Sequence, residues 1–204
     1  MWKKALLLAT LALALPIVAF AGTGVDFTNS GGTLVGSNSG LSLTGSALIV
    51  VNGLPGVGFQ AGSALGTFSF TTGAFISGSM QQGGVLAPGG SITITGNGIN
   101  GIPMGTIFTG TFSDSAPVTW TMVTLANGTH NYTLTGPIQG TMGGFSTTGA
   151  TAQLTINTGK GFFNGHASVS SGDTNILVPE PGTLGLFGTG LVGLAGLVRR
   201  KYIS

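Results

Sequence analysis

The sequence contains no cysteine. That excludes a disulfide-stapled fold and any Cys-based zinc or redox centre. Charge is almost as scarce, with Asp, Glu, Lys and Arg making up 5% of the 204 residues, against about 25% in an ordinary soluble domain. Disorder of the acidic or basic kind needs high charge, so the chain is not a solvated polyelectrolyte. Imidazole chemistry is confined to His130 and His166. Glycine is plentiful, 39 of 204, but it does not recur at every third position, which excludes a collagen triple helix.

The few charges are segregated. The formal net charge of +2 would suit a polyanionic partner if the cations were clustered on a folded surface. They are not. Lys3 and Lys4 lie at the N-terminus, and Arg199, Arg200 and Lys201 at the C-terminus. Between Gly22 and Val178 there is one cation, Lys160, against three anions, Asp26, Asp114 and Asp173, a net charge of −2. No basic patch is left for phosphates, so nucleic acid is not an expected partner.

Both ends of the chain have the character of addresses. Met1–Lys4 form a positive leader, and Ala5–Val18 an apolar run broken only by Thr10 and Pro16. Ala19 and Ala21 then put small residues where signal peptidase reads them, ahead of a cut after Ala21. This is the three-part secretory pattern, and the expected signal peptide is 1–21. The apolar run of 14 residues is short for a spanning helix of ~20. An uncleaved N-terminal anchor is the alternative.

At the other end, Val178-Pro179-Glu180-Pro181 precedes an uncharged run from Gly182 to Val198, closed by Arg199-Arg200-Lys201. As a helix, its 17 residues would reach about 25 Å at ~1.5 Å per residue, enough to cross a ~30 Å hydrocarbon core with local thinning or snorkelling. A transmembrane helix is therefore expected at about 183–198, with the basic tail 199–201 cytoplasmic. Each proline fixes its own φ and disfavours the α region in the residue before it. Val178–Pro181 is thus an extended peptide that a processing enzyme can read.

The combination of Val178, Pro179, Glu180, Pro181, a Gly-rich apolar helix and a terminal Arg199-Arg200-Lys201 cluster resembles the PEP-CTERM sorting signal. That signal belongs to exported proteins of Gram-negative bacteria that make exopolysaccharide. The resemblance covers about 178–201. It implies recognition by an exosortase, a membrane-embedded cysteine transpeptidase-like enzyme. It also implies removal of the tail near the Pro-Glu-Pro motif and release or attachment at the cell surface. The Leu-Pro-x-Thr-Gly pattern of Gram-positive sortase substrates is absent. The alternative is a plain anchor behind a Pro-rich spacer, which would leave a membrane-anchored periplasmic protein.

The body, 22–177, has the length of one domain. It shows period-two alternation, as in Gly66-Thr67-Phe68-Ser69-Phe70-Thr71, Ser91-Ile92-Thr93-Ile94-Thr95 and His130-Asn131-Tyr132-Thr133-Leu134-Thr135. Thr, Val, Ile and aromatics suit a pleated, half-buried surface. Asn52-Gly53, Asn97-Gly98, Asn127-Gly128 and Asn164-Gly165 supply hairpin turn chemistry. The expected fold is all-β: a single antiparallel β-sandwich or partly closed barrel of roughly ten strands. A β-helix or solenoid is the alternative. Gly22–Gly40 and Gly73–Gly90 are the least patterned stretches and read as loops, a capping arm or a loose edge.

Candidate chemistry in the body is sparse. Its three carboxylates are far apart in sequence, and none sits in a calcium-loop pattern. Asp173 reads as a turn residue. His130 and His166 lack a neighbouring third ligand and read as ordinary strand histidines. No Gly-x-Ser-x-Gly elbow presents a nucleophile. No catalytic residue, metal or cofactor is expected. Trp120 and Tyr132 are the candidate ligand-contact aromatics, with core packing as the competing reading.

The expected function is that of a non-enzymatic surface or matrix protein, structural or adhesive, exported and sorted beside exopolysaccharide. Sheet edges with few charged guards would allow self-association. The rival class is a carbohydrate-binding module or matrix-glycan enzyme. Binding predicts that Trp120 or Tyr132 lies open in a groove. Catalysis predicts that a histidine lies within reach of an Asp.

Overall fold

The computed structural model describes residues 23–178. The expected signal peptide, Pro179–Pro181, the apolar run and the basic tail lie outside the described residues. The strands are β1 (Thr23–Ser30), β2 (Thr33–Ser37), β3 (Gly40–Leu54), β4 (Gly58–Thr71), β5 (Phe75–Ser79), β6 (Gly83–Leu86) and β7 (Gly89–Asn97). They continue as β8 (Met104–Phe112), β9 (Val118–Thr124), β10 (His130–Met142), β11 (Phe145–Asn157), β12 (His166–Ser168) and β13 (Ser171–Val178).

Eight of these close on themselves in the order β1-β3-β4-β7-β8-β10-β11-β13, with β13 returning to β1, as an antiparallel barrel. The sheet closes completely, where a sandwich or partly closed barrel was expected. Neighbouring strands run antiparallel, as in β4–β7 and β10–β11, which is not the parallel stacking of a β-helix. The two weakly patterned stretches are also structured. The first holds β1, a barrel strand, and β2. The second holds β5 and β6. In the second, Gly and Ser occupy five of the nine strand positions and hide the alternation.

Alternation decides what lies inside. Phe68, Phe70, Ile92, Ile94, Leu134 and Ile138 are buried within the barrel. The residues between them carry hydroxyls outward, and these pair across strands: Thr67 with Thr95 at 2.7 Å and Thr71 with Ser91 at 2.9 Å. An apolar interior and a hydroxyl-bearing exterior invert the arrangement of a membrane-spanning porin-like barrel.

Glycine makes the curvature possible at one cross-strand pair. Gly110 and Gly140 face each other between β8 and β10. The ring of Phe108 lies over both, so that a Cβ at either would sit 2.7 Å from its Cζ. The aromatic ring covers the gap that two missing side chains leave, a recurrent way of supporting bent strands.

The barrel branches at two places. β11 follows one edge of β10, while the other edge is shared: β9 takes His130–Thr135 and β8 takes Ile138–Met142. Pro137, without an N–H, falls where the partner changes. β9 carries β6, which carries β5. On β3, β1 takes Ala47–Asn52 and β2 takes Gly40–Thr44, and β2 carries β12.

Candidate functional site

Trp120 and Tyr132 come from the paired strands β9 and β10. Their rings stack with centroids 5.1 Å apart and planes inclined by 20°, and Phe163 meets Trp120 edge-on at 5.7 Å. Trp120 is 1% exposed and Tyr132 0%, so neither ring face is open to a glycan. Their polar ends hold backbone. Trp120 Nε1 donates to the Met80 carbonyl at 2.8 Å and Tyr132 Oη to the Gln81 carbonyl at 2.7 Å. The Phe163 amide donates back to Tyr132 Oη at 3.1 Å. The β5–β6 turn is thus fastened to two buried rings, one on the branch strand β9 and one on the barrel strand β10.

The histidines lie near the same end. His130 is largely buried at the start of β10. Its Nδ1 is 3.0 Å from Thr124 Oγ1, and its ring stacks on Phe162 at 4.6 Å with planes 10° apart. His166 is exposed on β12. Phe162, Asn164 and His166, which share a face by sequence, line a surface groove of about 360 Å³ together with Asn157, Thr158 and Ser168. Phe162 presents about half of its surface to solvent there. Among the described residues no group of three or more His, Cys, Asp or Glu could hold a metal ion.

The structure also makes a pairing that the sequence separation hid. Asp26 on β1 and Asp173 on β13 lie on adjacent strands, both on the outer face between inward-pointing residues. Asp173 is a strand residue, not a turn residue, and accepts from Thr28 Oγ1 at 3.4 Å. Asp26 Oδ1 is shut off from solvent without a hydrogen-bond partner. Burial raises the Asp26 pKa above its ordinary 3.8. The Asp173 charge and hydrogen bonding between the two carboxyls add to the rise. The sequence signal was present, an Asp at an outward strand position in each segment, but only barrel closure brings the first and last strands together.

β13 ends at Val178, where the sorting sequence begins. Residues 177–201 match the PEP-CTERM protein-sorting motif. The match implies export, membrane anchoring before processing, and processing by an exosortase. No curated protein and no solved structure matches the chain.

Proposed function

We propose that the protein is an exosortase-processed surface or extracellular-matrix protein. Its barrel serves as a non-catalytic structural or adhesive unit alongside exopolysaccharide. The observation that carries this reading is the sorting motif at 177–201, continuous with the last barrel strand. The burial of Trp120 and Tyr132 supports a packing role for both. Intact-mass measurement on native membrane and medium fractions tests the sorting half. The expected product ends near Pro179–Pro181 and is lost when Pro179-Glu180-Pro181 is replaced. A mature pool still ending at Ser204 would leave only an anchored periplasmic protein. The matrix half is tested by fractionation. The protein is expected to sediment with exopolysaccharide and to be released in cells unable to make that polymer, and unchanged partition refutes it.

One observation favours a carbohydrate-binding role for the barrel itself. The groove offers an aromatic face, Phe162, flanked by the amides of Asn157 and Asn164. A stacking surface beside planar hydrogen-bonding groups suits a neutral sugar ring. Phe162→Ala is expected to abolish retention on matrix glycan, and equal retention of parent and variant removes this role.

A further inference from the structure

The chain leaves the barrel at an end where exposed apolar side chains stand without any charged neighbour in the turns. In an antiparallel barrel, the start of β1, the β3–β4, β7–β8 and β10–β11 turns, and the end of β13 all fall at the same end. Large apolar side chains stand exposed there at each turn. Phe59, at the start of β4, is 65% exposed, Met104, the first residue of β8, 87%, and Phe145, the first residue of β11, 53%. Ile99 in the β7–β8 turn and Leu177 next to the chain exit join them. The segments that build this rim, 23–25, 54–60, 97–106, 141–147 and 175–178, contain no Asp, Glu, Lys or Arg. At the opposite end the loops carry Asp114 and Lys160.

We propose that this rim rests on the lipid bilayer while the chain is anchored, with Phe59, Met104 and Phe145 inserted into the interfacial region. The inference rests on the membrane anchoring read above. The apolar run begins at Gly182, four residues beyond Val178. Fully extended, four residues span at most about 14 Å, so the rim cannot stand far from the lipid that receives the run. An uncharged rim can approach without desolvating an ion, and Phe and Met contribute apolar area to the boundary between headgroups and acyl chains. A second copy is a poorer occupant. Copies anchored in one bilayer hold their rims parallel and facing the same surface, so two rims cannot meet head-on. The contact would keep the Pro-Glu-Pro motif at the depth where a membrane-embedded enzyme works.

The absence of cysteine allows a direct test. Single cysteines replace Phe59, Met104 or Phe145 at the rim, and Ile76 or Val123 toward the other end, in the full chain. Each carries a polarity-sensitive fluorophore and is reconstituted into phosphatidylethanolamine–phosphatidylglycerol vesicles containing nitroxide-labelled lipid. All five positions are exposed, so the fold should tolerate them. Rim probes should shift to the blue and lose most of their emission to the lipid quencher, while Ile76 and Val123 probes should not. Equal quenching at both ends overturns the proposal. So does rim shielding that appears only as copies are crowded at constant lipid composition, which would identify a second copy as the occupant. A chain that does not float with the vesicles overturns the anchoring itself, and this proposal with it. A chain that floats with solvated rim probes overturns this proposal alone.

Discussion

Tyr132→Phe isolates the role of one hydroxyl. The variant keeps the ring, its stack on Trp120 at 5.1 Å and its burial, so no cavity forms. What it removes is the only atom joining the β5–β6 turn to the 162–163 segment through Tyr132. The Phe163 N–H, buried and bonded at 3.1 Å, is left without an acceptor, a loss that costs about 1–3 kcal/mol. The Gln81 carbonyl, bonded at 2.7 Å, is half-exposed and recovers water, so its loss falls at the low end of the ~0.5–1.5 kcal/mol typical of a single hydrogen bond. Together they predict a destabilisation of about 2 kcal/mol, or roughly 4–8 °C in Tm for a domain of this size. Thermal and urea unfolding of the purified chain in mild detergent, followed by circular dichroism, measures both. The loss should be non-additive with Trp120→Phe, because Trp120 holds the same turn through Met80. A change within about 0.5 kcal/mol, the scale of a neutral surface substitution, would refute the view that this hydroxyl is a structural fastener.

Three further outcomes follow from the barrel. Because the folded state raises the Asp26 pKa above 3.8, it binds that proton more tightly than the unfolded chain. Stability should therefore fall as pH rises from about 3.8 through the raised value. Asp26→Asn should be more stable than the parent near neutrality and lose that advantage in acid, as read from urea midpoints at the two pH values. Gly140→Ala drives a methyl group into the Thr109 carbonyl and the Phe108 ring; a loss of at least ~1–3 kcal/mol, or failure to fold, is expected on urea titration. Thr67→Val removes one outer hydroxyl, paired with Thr95 at 2.7 Å, and should cost less than ~1 kcal/mol on urea titration because both groups are accessible to water.

Period-two alternation made the strand class legible. It placed Phe68 with Phe70 and Tyr132 with Leu134 on common faces, and all four are buried. Three of the Asn-Gly pairs fall at turns: Asn97-Gly98 leaves β7, Asn100-Gly101 turns toward β8 with both residues at positive φ, and Asn127-Gly128 joins β9 to β10 with Gly128 at φ +79°. Asn52-Gly53 lies within β3 instead, and the turn that follows uses Pro55-Gly56. Closure was not legible, because it depends on strands far apart in sequence. β13 must find β1, and β10 must divide one edge between β8 and β9. For the same reason the Asp26–Asp173 pair was hidden, and so was the common end shared by Phe59, Met104 and Phe145. The sorting motif, by contrast, is contiguous in sequence, so it was legible without tertiary structure.

Closure also changes what low charge means for assembly. An open sheet with so few charged guards would offer long pairing edges, but closure pairs each of the eight barrel strands on both sides along part of its length. The branches add two edge strands. β12 has three residues, and β5 has five. The first residue of β5 is already engaged, since the Phe75 amide donates to the Asn38 carbonyl at 3.3 Å. A bulge and the positive φ of Gly78 distort what is left. Ile76–Ser79 is an open edge beside the 67% exposed Ile76 side chain, where another copy can pair. Ile76→Lys places a guard there without touching the core. If copies of the chain associate through sheet edges, sedimentation should show the assembly reduced to single chains in this variant. Assemblies of undiminished size would show that copies meet through another surface.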